Sequence, residues 1–323
     1  MIQRIAIFVV CCVFGLGVIQ AQDSAVEIGP EQFAGSLALE RIAAQVALGP
    51  RPTGSAEIHE AGDIILDYLR DLGWETSEDW HTVDFGPFLV PVRNLVASYG
   101  DGSTLIIGAH YDSRIYANRD PDTARLQERV IGANDAGSGV GVLLELARVL
   151  SQHYQPNNEI RLVFFDAEDN GGIEPWVQWS QMSGIGTNGW LIGSSYYAAG
   201  LNLETESIEA MILLDMVGDM DQQFPMEGYS AQYAPDLTNA IWSVAADLGY
   251  SEHFIPEVRS SITDDHLPFI QRGIPAVDII DLDYPQWHTT EDTLDKISPE
   301  SLERVGRVLQ TYLEQIGAIE REA

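Results

Sequence analysis

Acidic and histidine side chains follow four apolar runs of the sequence, at the point where each run ends. These residues, each with its preceding run, are His110 (104–109), Glu168 and Asp169 (160–165), Asp215 (210–214) and His288 (276–280). Carboxylate oxygens and imidazole nitrogens are ligands that zinc takes in proteins, and a catalytic zinc keeps one coordination position open. The pattern therefore predicts a metal site with a Lewis-acid role.

Three acids can divide this chemistry between them. Glu168 and Asp169 are adjacent at a predicted strand end, so their side chains point in different directions. Asp169 can then bind the metal while Glu168 faces the substrate as a general acid and base. Asp135 lies in the segment GANDAGSG (132–139), where it is either a metal ligand or a turn residue before a helix.

The cysteines narrow the ligand choice and mark the start of the chain. Cys11 and Cys12 lie in an apolar run over 5–19 that follows a single positive charge. With Ala21 as a small residue for cleavage, we predict a signal peptide over 1–21, the alternative being a retained anchor. The mature protein then has no thiol, so any catalytic metal must be held by oxygen and imidazole nitrogen, and we expect export to the periplasm or beyond.

The charge balance excludes whole classes of partner. The net charge is −32, and Lys296 is the single lysine of the sequence. Such a field repels nucleic acid and anionic membrane surfaces. We therefore expect no nucleic-acid partner and no membrane association after signal cleavage, and we expect a monomer.

Several strand ends must meet if these side chains are to form one site. Apolar β-rich runs predict strands over 92–98, 104–109, 160–165, 210–214 and 276–280. Amphipathic stretches predict helices over 36–49, 55–73, 140–152, 237–248 and from the Ser298 cap to Ile316. Strands without alternation, separated by helices, indicate a mainly parallel sheet covered on both faces. We predict a single catalytic α/β domain over 22–323, a three-layer α/β/α fold in which ligands bind beyond the carboxyl ends of the strands.

Ordered blocks along the chain carry a resemblance to a known family. They are LGPRP (48–52), HYDS (110–113), GANDAGSG (132–139), FFDAED (164–169), LLDMVG (213–218), DDHLPF (264–269) and WHT (287–289). In this series the chain resembles the zinc aminopeptidase-like superfamily, with its phosphorylase/hydrolase-like fold. Within it the chain looks most like the bacterial glutaminyl-peptide cyclotransferases, or glutaminyl cyclases.

The resemblance implies roles for individual residues. Asp135, Asp169 and His288 match the positions that hold zinc, and Glu168 matches the residue that moves protons. In the two-zinc peptidases, the positions of His110 and Asp215 bind a second metal with Asp135 shared. Cyclases are similar there but work with one zinc, and the Asp215 position joins a catalytic hydrogen-bond network instead. One zinc per chain is therefore expected, with His110 and Asp215 as a possible second site.

Two residues favour the cyclase branch. Asp264 stands where related aminopeptidases commonly carry a serine, and it looks like the cyclase aspartate that holds the substrate. Trp287 directly precedes the matched histidine, as the tryptophan of the pocket wall does in cyclases. The alignment of the segment 170–189 leaves open which neighbouring tryptophan, if any, also lines the pocket.

The resemblance implies a transferase reaction on peptides or proteins with an N-terminal glutamine. The glutamine becomes pyroglutamate, and ammonia is released. The first alternative is a two-zinc aminopeptidase, in which Glu168 activates a water molecule that hydrolyses the first peptide bond. The second alternative is a secreted binding domain that keeps the fold without the chemistry.

Overall fold

The computed structural model describes residues 32–322. The predicted signal peptide over 1–21 lies outside the described residues. Between residues 32 and 322, no helix has the length and apolar character needed to cross a membrane.

The elements alternate between strand and helix along much of the chain. The strands are β1 (Glu75–Asp84), β2 (Leu89–Tyr99), β3 (Thr104–His110), β4 (Tyr154–Pro156), β5 (Glu159–Phe165), β6 (Ile208–Asp215), β7 (Phe224–Met226), β8 (Phe254–Val258), β9 (Ala276–Ile280) and β10 (Ile319–Arg321). The helices are α1 (Gly35–Val46), α2 (Ala56–Asp71), α3 (Gly137–His153), α4 (Trp176–Ser183), α5 (Ile192–Gly200), α6 (Gly228–Tyr233), α7 (Pro235–Asp247), α8 (Leu267–Gln271) and α9 (Pro299–Gln315), with a short 3₁₀ helix over Leu294–Lys296.

Six strands form the central sheet, in the order β1-β2-β5-β3-β6-β9. The pairs β5–β3, β3–β6 and β6–β9 are parallel, whereas β1–β2 and β2–β5 are antiparallel. The predicted mainly parallel sheet is confirmed for its four adjacent strands β5, β3, β6 and β9. Their carboxyl ends therefore lie along one edge.

Helices cover both faces of the sheet, as predicted. Along β3, Leu105 and Ile107 pack into the core that includes α1, α2, α3, α7 and α9, whereas Ile106 packs with α5 and α8. Alternate residues of a strand point to opposite faces, and here both faces are apolar. This produces the continuous apolar runs of the sequence and the three-layer architecture.

The predicted elements agree with the structure to within a few residues at their ends. The strand over 276–280 and the Ser298 cap of α9 are both present, and the Ser298 side chain accepts a hydrogen bond from the backbone N–H of Ser301. The sequence analysis did not include β1. Its ten residues are mostly polar, and only Val83 is buried because β1 is an edge strand paired with β2 alone.

Close packing brings the start of α3 to the carboxyl ends of two strands. A Cβ atom on Gly139 would lie 2.5 Å from the carbonyl oxygen of Leu214 and 2.8 Å from the Cβ of Ala109. Only glycine permits that approach to β6 and β3. Asp135, two residues before α3, is thereby carried to the edge where the strands end.

Candidate active site

A pocket of about 310 Å³ opens at this edge of the sheet. Five of the residues proposed from the sequence line it: Asp135, Glu168, Asp215, Asp264 and His288. Trp287 lines it as well, together with apolar side chains that include Ile262 and Leu282. Asp169 and His110 do not line it and are almost fully buried. The structure therefore brings together every residue that the sequence analysis assigned to the site.

Asp135, Asp169 and His288 form a compact group of possible metal ligands. The Nε2 of His288 lies 3.2 Å from the Oδ1 of Asp169 and 3.5 Å from the Oδ2 of Asp135. Nitrogen and oxygen ligands of a tetrahedral zinc, bound at about 2.0–2.1 Å, are about 3.3–3.4 Å apart. The group thus has the spacing of three zinc ligands.

The hydrogen bonding of this group also fits a metal. The Oδ2 atoms of Asp135 and Asp169 are buried, and neither has a hydrogen-bond partner within residues 32–322. A buried carboxylate oxygen without a partner is unfavourable unless a cation satisfies it. Burial, opposed in part by Asp135, lowers the pKa of His288 to about 3, so its imidazole is neutral and can bind a metal.

His110, Asp135 and Asp215 form a second group of similar size. The Nε2 of His110 lies 3.1 Å from Asp135 Oδ1 and 3.2 Å from Asp215 Oδ1, and its Nδ1 lies 3.4 Å from Asp112 Oδ1. Burial alone would lower the pKa of His110. The hydrogen bonds to Asp112, Asp135 and Asp215 outweigh it and raise the pKa well above the ordinary value. A protonated imidazole donates from both nitrogens, so it satisfies this group without a metal.

Asp112 holds the segment that carries Glu168 and Asp169. Its Oδ1 accepts a hydrogen bond from the backbone N–H of Glu168 at 3.2 Å, and its Oδ2 accepts one from that of Asp169 at 3.1 Å. Asp112 itself lies just beyond β3 and is fully buried. The carboxyl end of one strand thus positions the acids that follow the neighbouring strand.

Glu168 has the environment of a proton-transfer residue. Its side chain is 10% exposed and lines the pocket, and one of its oxygens lies 4.0 Å from His110 Nδ1. Burial raises the pKa of Glu168 well above its usual value, and the nearby acids Asp169, Asp264 and Asp265 add to the rise while His110 opposes it. A carboxyl group with a raised pKa can take up and release a proton near neutral pH.

The loop that carries Asp135 is fixed from two sides. The carboxylate of Asp292 accepts hydrogen bonds from the backbone N–H groups of Asn134 and Asp135, at 2.9 and 3.2 Å. The side-chain oxygen of Asn134 accepts a hydrogen bond from the backbone N–H of Gly218 at 2.8 Å, which ties this loop to the end of β6. The sequence analysis did not identify Asp292. No spacing pattern marked it, because residues 288–292 form a turn rather than a helix.

Asp264 lies in the pocket wall, as the sequence analysis expected. Burial raises its pKa well above the ordinary value, and the charges of Asp215 and Asp265 raise it further. Its Oδ1 accepts a hydrogen bond from the backbone N–H of Asp265, which holds the side chain in place. Asp215 and Asp264 both line the pocket, so both carboxyl groups can face a bound substrate.

Two tryptophans enclose His288. The Trp190 ring stacks on the imidazole, with centroids 5.9 Å apart and planes at 12°, and the Trp287 ring lies at 4.4 Å. Trp190 and Trp287 both line the pocket, whereas Trp176 and Trp179 pack elsewhere, around Val83 and Ile192. The structure thus answers the question left open by the sequence: Trp190 is the second aromatic wall.

Backbone strain is concentrated next to these residues. Non-glycine residues with positive φ are rare, and they cluster at functional sites in folded proteins. Four of them in this structure are His288 itself and neighbours of Glu168, Trp190 and Asp215: Ala167 (58°), Leu191 (61°), Met216 (48°) and His288 (58°).

Solved structures of other proteins have the same fold. The crystal structure of a glutaminyl cyclase from Porphyromonas gingivalis superposes with a TM-score of 0.80 at 35% identity, covering 88% of this chain and 99% of that one. A structure described as a Zn-dependent exopeptidase from Parabacteroides distasonis superposes with a TM-score of 0.78 at 32% identity, covering 86% and 97%.

Sequence comparison gives a relative of the same kind as the first of these structures. A glutaminyl-peptide cyclotransferase from Gloydius blomhoffii is 26% identical over 234 residues, which are 65% of this chain and 61% of the relative's length. The aligned part thus spans about three fifths of that curated relative. The model of Peptidase family M28 matches residues 94–313, more than half of the chain. The resemblance inferred from the motifs is confirmed, and the chain belongs to peptidase family M28.

Proposed function

We propose that this protein is a zinc-dependent glutaminyl-peptide cyclotransferase. It converts the N-terminal glutamine of peptides or proteins to pyroglutamate and releases ammonia. The observation that carries this proposal is the pocket of about 310 Å³ in which a group of three metal ligands meets two tryptophan walls and the buried acids Glu168 and Asp264. The likeness to glutaminyl cyclases over nearly their whole chains supports it.

The proposed ligands are Asp135, Asp169 and His288, because their unpaired oxygens and neutral imidazole suit a zinc ion. When bound, zinc supplies Lewis-acid polarisation of the substrate's amide carbonyl. The remaining work falls to the side chains of the pocket. They hold the glutamine folded, move a proton and exclude water.

Ring closure needs the α-amine of glutamine beside its own side-chain amide. The two tryptophans offer flat apolar surfaces to the forming five-membered ring. The carboxylate of Asp264 accepts a hydrogen bond from the amine, and Asp215 supports it from the same pocket. Because both reacting groups belong to one residue, correct orientation supplies much of the rate.

Glu168 carries the proton. Its carboxylate takes a proton from the attacking amine nitrogen while the new bond between that nitrogen and the amide carbon forms. The same carboxyl group then gives the proton to the amide nitrogen, and the carbon–nitrogen bond breaks to release ammonia. Burial raises the pKa of Glu168, which makes its carboxylate a stronger base for the first step.

We propose one zinc per chain. The His110 group is already closed by hydrogen bonds to Asp112, Asp135 and Asp215, whereas the His288 group retains unpaired oxygens. A second metal would have to replace a satisfied network rather than fill an incomplete one. In this proposal His110 and Asp215 form a hydrogen-bond network beside the zinc.

A two-zinc aminopeptidase is the competing function, because His110, Asp135 and Asp215 also have metal-ligand spacing. A single substrate separates the two reactions. Purified protein is incubated with a short peptide that begins with glutamine, and the mass of the product is measured by mass spectrometry. The zinc content is determined on the same protein sample. A cyclase leaves the peptide intact but lighter by one ammonia, with one zinc per chain. A product one residue shorter, with two zincs, would establish the peptidase.

A peptide that begins with asparagine is the matched control, because its shorter side chain cannot close a five-membered ring. We expect no ammonia from it and full reaction of the glutamine peptide. Equal ammonia release from both peptides would point to simple amide hydrolysis and contradict the proposal.

We also propose that residues 22–323 form one exported catalytic domain that acts as a monomer. Cleavage after Ala21 is checked by N-terminal sequencing of protein recovered from outside the cytoplasm. The monomer is checked by its mass in solution. A retained N-terminus at Met1 would support the anchor instead.

A further inference from the structure

Arg114 is a buried cation in direct contact with a proposed metal ligand. It is 2% exposed and follows β3 by four residues. Its Nη1 donates to both the Oδ1 and the main-chain carbonyl of Asp169, each at 3.1 Å, and its Nη2 donates to the carbonyl of Gly171 at 2.8 Å. Its Nε donates to Asn118 at 3.1 Å. All three guanidinium nitrogens are therefore engaged, mostly with the segment that carries Asp169.

The same guanidinium reaches a second proposed ligand through one aromatic ring. Its Cζ lies 4.8 Å from the centre of the Trp190 ring, which stacks on His288. Gly171 packs directly against this ring, because a Cβ atom there would lie 1.7 Å from the Trp190 ring. Arg114 thus connects Asp169 and His288, which come from segments far apart in the chain.

We infer that Arg114 is a positioning residue that holds Asp169 and the stacked Trp190–His288 pair in the arrangement that binds metal. The inference rests on the proposed function in taking that metal to be zinc. It assigns a role to the segment over 170–190 as well. Through Gly171 and Trp190 this segment links the guanidinium to the metal-binding group.

The charge of Arg114 and its hydrogen bonds should change the metal affinity in opposite directions, which makes the inference testable. As a charge alone, a cation beside the Asp169 carboxylate weakens the binding of another cation. As a hydrogen-bond partner of a ligand, it strengthens metal binding, and loss of such a partner lowers metal affinity by about 10–100-fold. The direction of the change on removing Arg114 therefore separates the two roles.

Two substitutions of Arg114 test different parts of the contact. Arg114→Met removes both the charge and the hydrogen bonds. Arg114→Lys keeps the charge, but a single ammonium cannot reproduce the planar fork that bridges the Asp169 carboxylate and two carbonyls. Because a buried substitution to Met can prevent folding, Arg114→Lys is the deciding variant.

Arg119 provides the matched control. It is exposed, its Cζ lies 4.2 Å from the centre of the Trp287 ring, and its side chain makes no hydrogen bond to Asp135, Asp169 or His288 among the described residues. Like Arg114, its charge lowers the pKa of His288. Its backbone N–H donates to the carbonyl of His288 at 3.2 Å, a contact that a side-chain substitution keeps. Arg119→Lys and Arg119→Met therefore repeat the change in chemistry without removing a side-chain contact to a ligand.

The experiment measures zinc affinity of the metal-free full chain in competition with a chromophoric chelator. We expect Arg114→Lys to bind zinc about 10–100-fold more weakly than the wild type. We expect both Arg119 variants to stay within about threefold of it. The visible spectrum of the cobalt-loaded protein should change in Arg114→Lys and not in Arg119→Lys, because it reports ligand geometry.

Zinc binding by Arg114→Lys within threefold of the wild type, or tighter, together with an unchanged cobalt spectrum, would overturn the inference. The proposed function fails by a different measurement. A wild-type protein that binds zinc but releases no ammonia from the glutamine peptide would refute the cyclase and leave the role of Arg114 standing.

Discussion

Two groups of possible metal ligands share Asp135 but differ in how their remaining atoms are satisfied. Around His288, the Oδ2 atoms of Asp135 and Asp169 are buried without hydrogen-bond partners in the described part of the chain. Around His110, each ring nitrogen already faces a carboxylate oxygen at 3.1–3.4 Å. The first group is incomplete without a cation, and the second is complete with a proton.

The difference shows that ligand spacing alone does not define a metal site. Both groups meet the same distance criterion. Burial lowers the pKa of both histidines, so their acidic partners decide between the groups. The pKa of His288 stays lowered to about 3, whereas the hydrogen bonds of His110 to Asp112, Asp135 and Asp215 raise its pKa well above the ordinary value. A neutral imidazole can bind zinc, and a protonated one cannot. One shared aspartate can therefore serve a metal on one side and a hydrogen-bond network on the other.

The largest expected effect tests this comparison directly. Replacing His288 by Ala removes one of three protein ligands, so zinc affinity should fall by about 1,000-fold, since structural zinc sites bind with roughly 10–16 kcal/mol shared among four ligands. His110→Gln should keep zinc at one per chain. Equilibrium dialysis against buffered zinc measures both.

One result for the variants His288→Ala and His110→Gln would contradict this comparison of the two ligand groups. If His110→Gln reduces the zinc content from two ions to one, the His110 group holds a metal in the wild type. Both groups would then bind a metal, and a two-zinc aminopeptidase would become the better interpretation of the site.

Glu168→Gln should produce the next largest effect. The amide cannot take up the proton of the attacking amine, so kcat for the glutamine peptide should fall by about 100-fold or more. Zinc content should be unchanged, because Glu168 belongs to neither group of ligands. Steady-state kinetics and metal analysis on the same sample check both statements. Near-normal turnover would remove Glu168 from proton transfer.

Much of this architecture could be predicted from the sequence, for a clear physical reason. Strands buried on both faces, such as β3 and β9, leave continuous apolar runs, and parallel strands must end at one edge. The convergence of Asp135, Glu168 and His288 followed from those two facts and the family motifs. Edge strand β1 could not be found in the same way, because its exposed residues carry little apolar pattern.

The parts of the site that the sequence did not reveal depend on side-chain direction in loops. Arg114 contacts Asp169 across 55 positions of sequence, and Asp292 contacts Asp135 across 157. Nothing in the spacing of these residues indicates that they meet. For the same reason, the choice of Trp190 over Trp176 and Trp179 required the folded path of the segment over 170–190.

Asp264→Asn should have a smaller effect than loss of Glu168. The amide lacks one acceptor that the carboxylate offers to the substrate amine, and a hydrogen bond to a charged group contributes about 1.5–3 kcal/mol, or roughly tenfold or more in kcat/KM. Asp283→Asn is the control, because it removes the same charge from a side chain that is 82% exposed and outside the pocket. Equal kinetics for the two variants would contradict the assignment of Asp264 to the substrate.

The smallest expected effect is on the stability of the metal-free protein at different pH values. Burial raises the pKa of Asp265 and of Asp292 to about 7, with further contributions from neighbouring charges. An unfolded aspartate titrates near 4. Between about pH 4 and 7 the folded protein therefore binds more protons than the unfolded chain, so these groups make stability fall as pH rises through that window.

Calorimetry without zinc should thus give a Tm lower at pH 8 than at pH 5.5 by at least about 2–4 °C, the shift expected for 1 kcal/mol in a domain of this size class. The net charge of −32 acts in the same direction through repulsion at the surface, so the experiment is repeated in 1 M salt, which screens exposed charges but not buried ones. A pH dependence that disappears in salt would assign the effect to the surface. A pH dependence that persists in salt belongs to the buried acids. In that case added zinc should raise the Tm more at pH 8 than at pH 6. The reason is that Asp135 and Asp169, with pKa values of about 6 and 7, must lose their protons to bind zinc.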